Sequence, residues 1–163
     1  MVRRLLLVLL ALIMMVPTAL AQVVQGPAGL FFAATLPEGA QPDGGETLEN
    51  GDYTQPYLID DGMAVAVMAY RTAETTAEAF LEELYPEAQE VTEAEQAPVA
   101  AYPTRRLTFL TGANEDTRQC VLVAFSTDSG SFAFAVEVPI DFYEDYQEAA
   151  EAWIASLDLL DCC

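Results

Sequence analysis

The runs CVLVAF (Cys120–Phe125) and FAFA (Phe132–Ala135), separated by STDSGS (Ser126–Ser131), decide the fold. Side chains on a strand alternate between the two faces of its sheet, so a strand with one wet face alternates apolar with polar residues. These runs are apolar at both parities, and MAVAVMAY (Met63–Tyr70) reads the same way. Both faces of the sheet they form must therefore be covered. Asp128-Ser129-Gly130 and Asp61-Gly62 are turn sequences, which makes the connections hairpins and the sheet antiparallel. The expected class is α+β: an antiparallel sheet of about five to seven strands covered by helices on both faces, an α/β/α sandwich.

Working outward, Tyr53–Ile59 pairs with Met63–Tyr70 across the Asp61-Gly62 turn. Thr75–Tyr85 reads as a helix. Thr75 and Glu78 have the capping-box spacing, Phe80, Leu81 and Leu84 share a face, and Pro86 stops it. Gln89–Glu95 is charged and lightly apolar, as edge strands are. Arg105–Thr111 alternates, with Leu107 and Phe109 on one face and Arg106 and Thr108 on the other. Asp141 is placed to cap a long closing helix, with Glu144 at its third position and Tyr146, Ala149, Ala150, Trp153 and Leu157 on the buried side. Phe142, Tyr143 and Tyr146 read as core, not as a ligand box. Phe31–Leu36 is the first strand. The loop Pro37–Asp52, centred on Pro42-Asp43-Gly44-Gly45, is long by the standard of about 4–6 residues for compact domains, which marks it as functional or mobile. It is the segment expected to meet a partner.

The N-terminus reads as an export signal. Arg3 and Arg4 precede the apolar run Leu5–Val16, Pro17 ends it, and Ala19-Leu20-Ala21 is a small-x-small cleavage pattern before Gln22. Residues 1–21 are thus expected to be a signal peptide, 22–29 a leader, and 30–160 a single domain, exported to a bacterial periplasm or the extracellular space. No later segment is apolar for long enough to insert in a membrane once the signal is removed. Removing Arg3 and Arg4 leaves Arg71, Arg105, Arg106 and Arg118 against 26 carboxylates, with no Lys and no His. That excess repels nucleic acid and anionic lipid, and favours a cationic or protein partner, a weakly held cation, or simple solubility.

The absences exclude much chemistry. Without His there is no Ser-His-Asp or Cys-His set and no imidazole metal ligand; without Lys there is no Schiff base. No cofactor motif and no metal-site spacing is present. Asp128-Ser129-Gly130 matches the aspartic-protease triplet, making Asp128 the one catalytic candidate. A second triplet is lacking, so that activity would need a homodimer, and the same residues make a hairpin turn. Asn114-Glu115-Asp116 and Asp60-Asp61 are short oxygen-rich turns of the kind calcium accepts, but both read more simply as turn chemistry. Arg105 and Arg106 point to opposite faces of their strand and cannot form one patch. The cysteines are Cys120, Cys162 and Cys163. Export permits a disulfide of Cys120 with Cys162 or Cys163, and Cys120 as a small buried apolar residue is the alternative.

An exported leader, a strand ending Leu36-Pro37, a hairpin, a helix, three further strands, and a closing helix ending Trp153-Ile154-Ala155-Ser156-Leu157 follow one another in this chain. That order resembles the PsbP/Mog1-like group of small sandwich proteins. The resemblance implies a non-enzymatic binding or assembly role and transfers no functional residue, because the group shares no site signature. The expectation is therefore an exported acidic interaction domain. The alternatives are a carboxylate-dependent hydrolase around Asp128 and a weak cation-binding protein.

Overall fold

The computed structural model describes residues 21–25 and 32–159. Among the described residues the strands are β1 (Ala21–Gln25), β2 (Phe32–Pro37), β3 (Gln41–Pro42), β4 (Glu46–Thr47), β5 (Tyr53–Ile59) and β6 (Ala64–Arg71), followed by the helix α1 (Ala77–Leu84). Then come β7 (Gln89–Ala94), β8 (Thr104–Thr111), β9 (Arg118–Thr127), β10 (Gly130–Pro139), α2 (Tyr143–Ala155) and β11 (Asp158–Leu159). The chain is α+β and its main sheet is antiparallel, in the order β3-β5-β6-β10-β9-β8-β7 with β4 also on β5. That makes eight strands, more than expected, because the Pro37–Asp52 loop contributes the two-residue strands β3 and β4 along β5. A second sheet, β1-β2-β11, was not foreseen: the segment expected to be a leader supplies β1, paired residue for residue with β2.

The apolar-on-both-faces strands bury both faces. Val121, Val123, Phe125, Phe132, Phe134 and Val136 point into one core, while Cys120, Leu122, Ala124, Ala133 and Ala135 point into the other. The first core receives Ala150, Trp153 and Ile154 of α2 together with Phe32, Ala34 and Leu36 of β2. Phe32, Phe125, Phe132 and Tyr70 meet there with ring centroids 5.0–5.7 Å apart, and the Ser156 hydroxyl accepts from Thr35 N–H at 2.8 Å, tying the end of α2 to β2. The second core receives Ala77, Phe80 and Leu81 of α1. Cover is uneven: α2 shares its face with the small sheet, and one short helix, α1, serves the other. Eight residues of helix reach about 12 Å, whereas seven strands side by side span roughly 30 Å, so α1 leaves the β5 flank of its face thinly covered.

Local chemistry moves several boundaries. Ile59 pairs with Ala64, so the β5–β6 connection holds four residues instead of two, with Asp60 and Asp61 at φ +50° and +56°. Aspartate tolerates this left-handed region better than most residues. Thr76, not Thr75, caps α1, its hydroxyl accepting from Ala79 N–H at 3.2 Å; Thr75 N–H instead donates to Ser131 Oγ at 2.7 Å. Asp141 does not cap α2. It lies inside a 3-10 turn, Ile140–Phe142, that runs straight into the helix, so Phe142 occupies the capping position and makes no side-chain cap. The β9–β10 hairpin closes on Asp128-Ser129, with Thr127 paired to Gly130. Gly130 sits at φ +139°, and a Cβ there would lie 2.4 Å from the Arg71 carbonyl oxygen.

Candidate functional site

The thin cover on the α1 face produces a cleft of about 440 Å³. Its floor is β5, whose Thr54 and Pro56 face the α1 side and stay half-buried. One wall is the end of α1, with Glu83 and Leu84; the other is the loop that carries β4, with Gly45, Glu46, Leu48 and Asp52. The loop is held by specific bonds. Gln55 Nε2 donates to the carbonyls of Gly44 at 3.1 Å and Pro56 at 2.8 Å, and Asp43 N–H reaches Pro56 O at 3.0 Å. Leu48 exchanges backbone bonds with Asp52 and Gly51 at 2.9 Å each, yet its side chain stands 48% exposed at the rim. Asp52 Oδ1 accepts from Thr72 N–H at 2.8 Å and from the Thr72 hydroxyl at 2.9 Å. Burial pushes the Asp52 carboxyl up, but these bonds, another to Asn50 and the charge of Arg71 together bring it below its ordinary value.

Arg71 closes the base of the cleft. It continues the parity of Val67 and Ala69, so it enters the α1 side of the sheet, buried to 8% exposure. A guanidinium has five N–H donors, and this one places all of them. Nη1 donates to Tyr53 O and Tyr70 O, both at 2.7 Å. Nη2 donates to Thr54 Oγ1 at 3.1 Å and Glu83 Oε1 at 2.6 Å, and Nε reaches the Glu83 carboxylate at 3.1–3.2 Å. The guanidinium also lies 5.7 Å over the ring of Phe80. One side chain thus links β5, β6 and α1. Sequence reading counted Arg71 only as charge. The signal was available: it is the lone cation ending a fully apolar strand, at the parity of that strand's buried residues.

Arg105 and Arg106 do face opposite sides, and both are paired. Arg105 bridges Glu78 of α1 and Glu93 of β7, each at 2.7 Å; Arg106 holds Glu151 of α2 through two bonds, that from Nη1 at 2.8 Å. The hydrogen bonds from Arg106 keep the Glu151 carboxyl below its usual value against an opposing effect of burial. Arg118 donates to Gly62 O at 3.1 Å, while its Nη1 is buried without a partner among the described residues. Close by, Tyr85 O–H donates to Glu137 Oε1 at 2.8 Å. Burial pushes the Glu137 carboxyl up, only partly offset by Tyr85 and by the charge of Arg118.

Asp128 stands in the tip of the β9–β10 hairpin, lining an open hollow with Glu74, Tyr102 and Ser126. Asn114-Glu115-Asp116 forms an exposed 3-10 turn, and Asp60 accepts from Tyr146 O–H at 2.6 Å. Among the described residues no group of three or more His, Cys, Asp or Glu is arranged to hold a metal, and no helix is long and apolar enough to cross a membrane. Cys120 is fully buried in the core beneath α1, and burial pushes its thiol well up. Cys162, Cys163 and the expected signal peptide through Leu20 lie outside the described residues.

Together the sheet order, the two cores and the closing helix define an α+β domain of PsbP/Mog1-like fold, with a cleft beside an acidic loop. Neither a protein-family model nor a curated protein sequence matches the chain. Among solved structures it is similar to cyanobacterial PsbP (CyanoP) from Synechocystis sp. PCC 6803, with a TM-score of 0.59 and 12% identity over 89% of this chain and 95% of that one. LpqN, involved in cell envelope biogenesis of Mycobacterium tuberculosis, also matches, with a TM-score of 0.42 and 12% identity over 90% of this chain and 88% of that one. The likeness to CyanoP is one of fold and carries over no side chain of the site.

Proposed function

We propose that this protein is an exported, non-enzymatic interaction domain that engages its partner through the Arg71 cleft and the adjoining Pro37–Asp52 loop. In this reading it is an α/β/α sandwich whose thinner layer, α1, leaves room for the partner. The observation that carries the proposal is the cleft itself: a concave site beside an ordered loop that holds a large apolar side chain, Leu48, out in solvent. Apolar exposure rimmed by polar groups is characteristic of interaction surfaces. The signal-like N-terminus supports export, and the non-enzymatic reading rests on a chain with neither His nor Lys.

Two measurements test this. Fractionation with N-terminal sequencing is expected to find a product beginning at Gln22 outside the cytoplasm; an uncleaved cytoplasmic chain would overturn export. A photo-crosslinking residue placed at Leu48 in the native host is expected to give one discrete protein adduct that the same residue at Glu115, on an exposed turn remote in sequence, does not. Equal adducts at both positions, or none at Leu48, would remove the cleft as the contact site.

A further inference from the structure

We infer that the cleft receives a basic side chain, lysine or arginine, on an extended segment of a partner protein. The inference rests on the cleft being the contact site, as proposed above, and adds the chemistry of what enters it. First, the polar lining offers mainly acceptors. All five N–H donors of Arg71 are committed within the fold, and among the described residues no other cation lines the cleft. An anionic ligand would meet Glu46, Asp52 and Glu83 with no free cation to offset them, and like charges brought together strongly disfavour binding.

Second, two of those carboxylates retain capacity. No described residue donates a hydrogen bond to the Glu46 side chain, and the Glu83 side chain is 52% exposed despite its pairing with Arg71. Third, the lining also carries the apolar side chains Leu48, Pro56 and Leu84. Carboxylates in the same cleft as apolar side chains suit a long aliphatic stem carrying a charge, which is how lysine and arginine lie on protein surfaces. A bare metal ion does not fit, since none of these carboxylates belongs to a group of metal-holding geometry among the described residues. A free amine is disfavoured because the cleft is open, and small ligands bind where most of their surface is enclosed. A chain extending beyond the cleft supplies the missing contact.

The test is an amide-resonance titration of the mature protein with three peptides, Ac-Gly-Leu-Lys-Leu-Gly-NH2 and its norleucine and glutamate counterparts, and with n-butylamine. The lysine peptide is expected to shift Gly45, Leu48, Thr54 and Leu84 selectively. It should bind about tenfold more tightly than the norleucine peptide, a difference of about 1.4 kcal/mol. Glu46→Gln and Leu48→Ser should each weaken it several-fold without lowering the melting temperature. Norleucine or glutamate peptides binding as tightly as the lysine peptide would overturn the basic-side-chain assignment and leave the cleft standing as a contact site. So would a titration in which no peptide shifts the cleft while Leu48 still crosslinks a partner. Shifts spread evenly over the acidic surface would mean unspecific attraction and overturn the inference. Butylamine binding as tightly as the lysine peptide would overturn the assignment to a protein segment. Silence in both the titration and the crosslinking would overturn the inference and the proposed function together.

Discussion

Replacing Arg71 with alanine probes the joint between the fold and its cleft. The side chain is buried, and its loss strips two strand carbonyls, Tyr53 O and Tyr70 O, of charged donors. Each such bond is worth about 1.5 kcal/mol at the low end for charged groups. The guanidinium over the Phe80 ring adds about 0.5 kcal/mol. The Glu83 pairing adds little more, because that carboxylate is half in water and screened. Arg71→Ala should therefore destabilise by about 3–4 kcal/mol, which for a domain of this size lowers the melting temperature by about 10 °C. Glu83→Gln should cost under about 1 kcal/mol, and Arg71→Lys should fall between them, keeping charge but not the five-donor fork. Urea unfolding of the three variants, with unchanged slope, reads these differences directly. The asymmetry is the diagnostic. Equal losses for Arg71→Ala and Glu83→Gln, or a loss below about 1 kcal/mol for Arg71→Ala, would show that the guanidinium holds nothing but a surface ion pair.

Four other variants separate the observed fold from its alternatives. Thr76→Ala should lose about 1 kcal/mol as the cap of α1, whereas Asp141→Ala should change thermal stability little; the reverse order would restore Asp141 as a capping residue. Gly130→Ala should destabilise by roughly 2–3 kcal/mol, because its Cβ would sit 2.4 Å from the Arg71 carbonyl and 2.7 Å from the Tyr70 ring, and a near-neutral melting curve would contradict that close approach. Glu137 has a folded-state pKa raised by burial, so its contribution is fully present below the unfolded value of about 4.3 and is lost as pH rises through the folded value. Glu137→Gln keeps an acceptor for Tyr85, so its stability should gain on the wild type as pH rises toward neutrality, with no gain in acid; parallel pH profiles would refute the assignment.

The two-sided core was legible because strand geometry forces alternation. Once Val121 through Phe125 and Phe132 through Ala135 are apolar at both parities, each face must meet cover, whatever the strand order. Arg105 and Arg106 were placed on opposite faces by the same rule. The caps were less legible. Thr75 and Thr76 are chemically alike, and the choice between them is made by Ser131, which is 56 residues distant in sequence from Thr75 and captures its N–H. Likewise, nothing local to Asp141 reveals that the preceding turn joins the helix without a break.

Residue types alone determined that the chain folds around a sheet with apolar residues on both sides, that its hairpins are antiparallel, and that it lacks imidazole and amine side chains. These follow from short-range periodicity and composition, which each residue carries wherever the chain goes. Only tertiary structure decided that α1 is too short for its face, that the Pro37–Asp52 loop folds onto β5, and that Arg71 is saturated beneath a cleft of acceptors. Those outcomes depend on which distant segments lie side by side, and burial, hydrogen-bond saturation and concavity are properties of that arrangement.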